Sequence, residues 1–135
     1  MSLPIFTMIA GAPKPVAPYS HVVEADGWLF LAGQIPSDLD FEPETLPDGI
    51  EAQTHKVMAN LKFILEGAGV GLSHVVSARV FLTHFEDDYR RMDAVYASYF
   101  EEGKRPARTT VGVTALASGA RIEIDVIARR GGETK

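Results

Sequence analysis

The sequence predicts an α+β domain in which two helices lie on one side of a sheet of about six strands, in the order β-ββ-α-β-α-ββ. Three observations carry this. Ile122, Ile124, Val126 and Ala128 alternate with Arg121, Glu123, Asp125 and Ile127, the period of two that a half-buried strand requires. Asp26-Gly27 separates two apolar stretches, Ser20 to Ala25 and Trp28 to Ala32, and that dipeptide favours the left-handed conformations of a two-residue hairpin turn. Ile50, Val57, Met58, Leu61, Ile64, Leu65 and Ala68 fall close to helical spacing, which makes one apolar stripe to set against a sheet.

Taken in order, Pro4 to Ile9 reads as a short first strand. The small residues Ala10-Gly11-Ala12 look like a signal cleavage site, but the stretch before them has no basic start and Pro4 interrupts its apolar run. Gly11-Ala12-Pro13-Lys14-Pro15 is a loop, because prolines restrict themselves and the residues before them. Tyr19 follows it, with two open roles: half-buried packing or the wall of a cleft. After the hairpin, Gly33-Gln34-Ile35-Pro36 marks a bend or a close backbone approach to a ligand. Ser37 to Asp48 is acidic, contains two prolines and reads as a surface loop. Asp48 is placed to cap the first helix with Glu51 reaching back, and the glycines of Gly67-Ala68-Gly69-Val70-Gly71 end it. Val75 to Phe81 is a buried strand by its β-branched content. Asp87 or Asp88 caps a second helix whose inward face is Met92, Val95, Tyr96, Tyr99 and Phe100, stopped by Gly103.

The last two strands carry the chemistry. In Arg105-Pro106-Ala107-Arg108-Thr109-Thr110-Val111-Gly112-Val113, parity puts Arg108, Thr110 and Gly112 on one face. Proline belongs at a strand entrance, where it helps to aim a side chain into a cleft. Arginine there is a planar donor fork suited to a carboxylate. If the two strands pair, Arg108, Thr110 and Glu123 share a polar surface. The competing reading is an exposed Arg–Glu pair on a solvated face, worth about 0–1 kcal/mol.

Composition narrows the function. The 135 residues fit one domain spanning 1–135, and 46% hydrophobic content is ample for a core. A formal net charge of −5 lacks the basic surface that binds phosphate backbones. The absence of cysteine removes disulfides, thiolate catalysis and cysteine-bound metals, and fits a reducing cytoplasm. No apolar run approaches the roughly 20 residues that span a bilayer, so a soluble protein is expected. His21, His55, His74 and His84 show no metal spacing and read as structural or surface residues, as Arg79, Arg90 and Arg91 read as exposed charges. There is no nucleophile elbow, and the glycines at 67–71 follow a helix, so they do not form a dinucleotide loop. Neither a metal nor a cofactor is expected. Two helices cover only one sheet face, so self-association with closed cyclic symmetry is expected to cover the other.

Several segments in this order resemble the YjgF/RidA family of reactive-intermediate deaminases over about Pro15 to Arg129. They are Ala17-Pro18-Tyr19-Ser20, Gly33-Gln34-Ile35-Pro36, Ala52-Gln53 through Gly69, Tyr96 to Phe100, and Pro106-Ala107-Arg108-Thr109 with Ile122-Glu123-Ile124. The resemblance implies a mixed sheet with two helices on one face, like the trimeric chorismate mutases, and a homotrimer with a cleft between each pair of subunits. It implies hydrolysis of enamine and imine acids such as 2-aminoacrylate to a 2-keto acid and ammonia. Arg108 would grip the substrate carboxylate, Glu123 would position water, and Tyr19 and the Gly33 backbone would line the pocket. Three positions depart from the best-studied pattern: Ala32 replaces a serine, Thr110 a cysteine and Asp93 an asparagine. These departures leave carboxylate binding in place and put the substrate range in question. The alternatives are a trimeric module that binds small carboxylates without catalysis and, more weakly given the acidic balance, an endoribonuclease or translation inhibitor.

Overall fold

The computed structural model describes residues 3–38 and 46–131. Its strands are β1 (Ile5–Thr7), β2 (Val22–Ala25), β3 (Trp28–Leu31), β4 (Val75–Leu82), β5 (Ala107–Gly112) and β6 (Ile122–Arg129), and its helices are α1 (Ile50–Gly67) and α2 (Phe85–Ala97). The strands form one sheet in the order β1-β2-β3-β6-β4-β5. Neighbours are antiparallel except β4 and β5. Those two run parallel because α2 carries the chain back between them, as a parallel pair requires. The sheet is therefore mixed, as the resemblance implied.

Local chemistry explains the elements that position the site. Asp26 and Gly27 both take positive φ, 52° and 85°, which closes the β2–β3 hairpin with Ala25 opposite Trp28. A side chain at Gly27 would also overlap the Arg129 guanidinium. On β6 the alternation holds throughout: Ile122, Ile124, Val126 and Ala128 are buried. With Leu29, Leu31, Val80 and Leu82 they form the floor on which Val57, Leu61 and Ile64 of α1 and Met92 of α2 rest. Each such Val, Leu, Ile or Met side chain, fully buried, contributes about 1.5–3 kcal/mol. Among the described residues no helix covers the opposite face. That face presents Trp28, Phe30 and Val111, all more than a third exposed.

Several local expectations are corrected. Asp48 does not cap α1: Gly49 occupies that position with φ 89°, and no side chain bonds to the free amides. The left-handed turn at Gly49 lets the chain enter the helix one residue later than a carboxylate cap would need. Nor does Asp87 or Asp88 cap α2, which starts earlier, with His84 before its first turn. Asp88 is instead buried inside that turn and receives two hydrogen bonds from Arg121, from Nε at 2.8 Å and Nη2 at 3.0 Å. The α2 helix stops at Ala97, and Tyr99 and Phe100 continue it as tight turns. β4 is half-buried, with Val76 and Arg79 exposed, because its outer face is the uncovered one. The acidic loop expected over 37–48 lies partly outside the described residues.

The Asp88 pair joins both helices to the start of β6, since the Arg121 amide also donates to Gln53 Oε1 on α1 at 2.9 Å. Asp88→Ala removes both charge-assisted bonds, but Arg121 keeps about a third of its side chain in solvent and can rehydrate. The expected loss is therefore about 2 kcal/mol, below the 3–5 typical of a wholly buried pair. Urea titration would measure it. A change below about 0.5 kcal/mol, the range of ordinary surface substitutions, would show that the tie contributes nothing.

Candidate functional site

The predicted residues fall into two groups on opposite faces of the sheet. Arg108 and Thr110 lie on the edge strand β5, opposite Ala78 and Val80 of β4, and so share the helix side of the sheet. Glu123 pairs with Phe81, which shares the other parity of β4. The expectation that Arg108, Thr110 and Glu123 share one surface is thus overturned: β4 lies between β5 and β6, and its register puts the two groups on opposite sides.

On the helix side, α2 builds the holder for Arg108. Tyr89, Asp93 and Tyr96 are four and three residues apart, so they face one way from consecutive turns. Arg108 Nη1 sits 2.8 Å from Asp93 Oδ1, and Nη2 donates to the Tyr89 hydroxyl at 2.9 Å. The guanidinium lies over the Tyr96 ring, 4.8 Å from its centre, with Tyr89 at 5.7 Å. Its side chain is only 17% exposed. Burial opposes the charge, but Asp93 and Tyr89 outweigh it and hold the guanidinium above its ordinary pKa. Arg108 separates two hollows. One, of about 300 Å³, is lined by Phe85, Tyr89, Arg108 and Thr110. The other, of about 270 Å³, includes Asp93, Tyr96, Arg105 and Arg108. Among the described residues the buried hydroxyls of Thr110 and Tyr96 have no hydrogen-bond partner, an unusual state for a buried polar atom that marks this side of the sheet.

On the other face, Glu123 and Tyr19 line a hollow of about 180 Å³ with Gly33, Val16 and Ala117. The Glu123 carboxylate lies against Gly33 so closely that a Cβ there would overlap it, and any side chain at this position would displace the carboxylate from where it sits. Reciprocal amide bonds between Gln34 and Ile124, at 2.9 and 3.1 Å, hold the Gly33 backbone to β6. Burial, and secondarily the charge of Asp125, raises the Glu123 pKa. Asp125 has its own counter-ion, a two-bond pair with Arg79 at 3.0 and 2.7 Å. Glu123 has no ion pair among the described residues, although Lys14 lines the same hollow, and a buried carboxyl of raised pKa in a hollow is a candidate for proton exchange. Ala32, which stands where the family pattern has a serine and is therefore a candidate to bind substrate, does not line this hollow. Its amide donates to the His21 carbonyl at 3.0 Å and its own carbonyl accepts from the Gln34 side chain.

One supporting residue, Tyr89, goes unread in the sequence, and another, His21, reads only as a structural or surface residue, without its task. His21 is buried, its Nδ1 accepting from the Ile9 amide at 2.8 Å and its Nε2 donating to the Pro13 carbonyl at 2.7 Å. It anchors the loop that carries Val16 and Tyr19. Only its place beside the proline-rich loop hinted at this. Tyr89 was legible in principle, because it stands one turn before Asp93, but the apolar reading of α2 starts at Met92.

Comparison with known proteins agrees with this architecture. The family profile described as Endoribonuclease L-PSP matches residues 9–130. A RutC family protein of Pyrococcus horikoshii is 44% identical over 124 residues, 92% of this chain and 94% of its own. Among solved structures, RidA from the Antarctic bacterium Psychrobacter superposes with a TM-score of 0.82 at 33% identity, covering 92% of this chain and 97% of that one. The YjgF gene product of E. coli gives a TM-score of 0.83 at 31% identity, covering 93% and 99%. Among the described residues no helix is long and apolar enough to cross a membrane. With a profile spanning nearly all of the chain and relatives alike in sequence and fold, this chain belongs to the endoribonuclease L-PSP family, that of the RutC, YjgF and RidA proteins.

Proposed function

We propose that the protein is a hydrolytic deaminase of enamine and imine acids, acting at clefts that two copies of a homotrimer form together. The observation that carries this reading is the division of the site. A rigid guanidinium suited to a carboxylate stands on one face of the sheet, and a carboxyl of raised pKa with no ion pair among the described residues stands on the other. Neither half is complete. Stacking the β5 edge of one copy over the Glu123 hollow of the next joins them, and the uncovered outer face supplies apolar surface for that contact.

The chemistry asks little beyond position and proton handling. The protonated imine carbon beside a carboxylate is already electrophilic. Arg108 orients the acid by charge-assisted bonds, which turns a loose encounter into a directed one. Glu123 takes a proton from the attacking water and returns it to the departing nitrogen, while the Thr110 hydroxyl and the Gly33 backbone help to hold water and substrate. The iminium acid and water give the keto-acid anion and ammonium, so atoms and charge balance. The family description names an endoribonuclease, but a net charge of −5 gives this chain little electrostatic hold on RNA.

Subunit mixing tests the shared cleft. Arg108→Ala and Glu123→Gln variants, each nearly inactive, are refolded together in equal amounts. Random assembly restores an intact pair of residues in roughly a quarter of the clefts, so about a quarter of the wild-type rate should return. No recovery from mixed assemblies would place both residues' work within one copy and end the shared-cleft proposal. Keto-acid binding by the wild-type protein without accelerated ammonia release would favour a carboxylate-binding module instead.

A further inference from the structure

The contact between Asp93 and Arg108 bears on which acid the site accepts. Asp93 Oδ1 stands 2.8 Å from the guanidinium, yet the Asp93 side chain remains 47% exposed. Part of its carboxylate therefore faces the hollow that Arg108 also lines. Two of the five guanidinium N–H donors are taken, by Asp93 and Tyr89, which leaves three for a ligand. In charge, however, the pair already sums to zero. A simple monocarboxylate arriving at Arg108 turns the group net negative and meets Asp93 as a like charge. An acid carrying its own N–H cation does not. Arg105 lines the same hollow, but it is exposed and its Nη2 lies 3.5 Å from the Ala97 carbonyl, so solvent screens it from the pair.

We propose that Asp93 is a specificity-determining residue that admits acids bearing a cationic or N–H-donating nitrogen next to the carboxylate and disfavours the keto-acid anion. The protonated imine acid is a zwitterion: its carboxylate goes to Arg108 and its N–H faces the free oxygen of Asp93. Hydrolysis replaces that nitrogen by a carbonyl oxygen, which accepts hydrogen bonds and donates none. The product anion then confronts Asp93 with no compensating donor, and it leaves. This inference rests on the deaminase reading and assigns its Arg108 half-site a substrate preference.

Asp93→Asn is the direct test, because it keeps the shape and an oxygen to accept from Arg108 while removing the charge. The readouts are the inhibition constant of pyruvate and the KM for the imine of alanine, generated in place by an amino-acid oxidase. The pyruvate inhibition constant should fall about tenfold, as expected of one like charge a few ångströms away near a surface, while KM for the imine stays level or rises. The ratio of the two is decisive. A parallel change of both in either direction, or no change in either, overturns the proposal, since a merely structural Asp93 moves them together. Pyruvate binding to Arg108→Ala separates the two levels of argument. If that variant still binds pyruvate as the wild type does, the Arg108 clamp itself is wrong. If binding is lost there and Asp93→Asn leaves the ratio unchanged, only the role of Asp93 fails.

Discussion

Replacing Arg108 with alanine is expected to lower kcat/KM for imine-acid hydrolysis by about 10²–10⁴-fold while the fold and assembly persist. The magnitude follows from two charge-assisted hydrogen bonds to a carboxylate, each worth about 1.5–3 kcal/mol, at about 1.4 kcal/mol per factor of ten. Persistence of the fold follows from the surroundings. Arg108 contacts Asp93, Tyr89 and Tyr96 from an edge strand, and Asp93 is half exposed, so removing the guanidinium leaves no buried unpaired charge. Arg108→Lys should recover only part of the loss, because an ammonium keeps the charge but cannot form the planar fork or spread over the Tyr96 ring. Steady-state kinetics with circular dichroism and sedimentation would check the three statements together. An unchanged kcat/KM in Arg108→Ala would remove the centre of the mechanism.

How much of this was legible in the sequence depended on the distance over which each feature is decided. The hairpin at Asp26-Gly27 is a local matter of backbone conformation, and it stands as read, with both residues at positive φ. The alternation of β6 and the stripe of α1 are equally local and are found where the pattern put them. The helix caps depend on the direction from which the chain arrives. Gly49 changes that direction, and Asp88 goes to a partner 33 residues away. The largest miss has the same origin. A period of two tells which residues of one strand share a face, but says nothing of how the faces of two strands correspond. That correspondence is set by order and register, and β4 between β5 and β6 reverses the one assumed for Arg108 and Glu123. The division of Arg108 and Glu123 between two faces was therefore not readable from either strand alone.

Glu123→Gln should separate activity from stability in opposite directions. In the proposed role of a base that takes a proton from water, Glu123 would work only when ionised, and losing a positioned base costs about 10²–10⁴-fold. Its pKa is raised chiefly by burial and secondarily by Asp125, so the wild-type rate should climb with pH through that raised value, and the variant should lack this acid limb. Stability runs the other way. The folded state favours the protonated carboxyl, so it binds more protons than the unfolded chain between the ordinary glutamate pKa and the raised one, and folding weakens as pH rises across that window. Above it the whole penalty is present, and below the ordinary value there is none. Glutamine carries no such penalty. Glu123→Gln should therefore melt higher than the wild type at neutral pH and lose that advantage below about pH 4, where the unfolded glutamate is also protonated. Melting curves at the two pH values decide it: a variant that is less stable at neutral pH would mean that the carboxylate, lying against Gly33, is held by favourable contacts and is not a strained base.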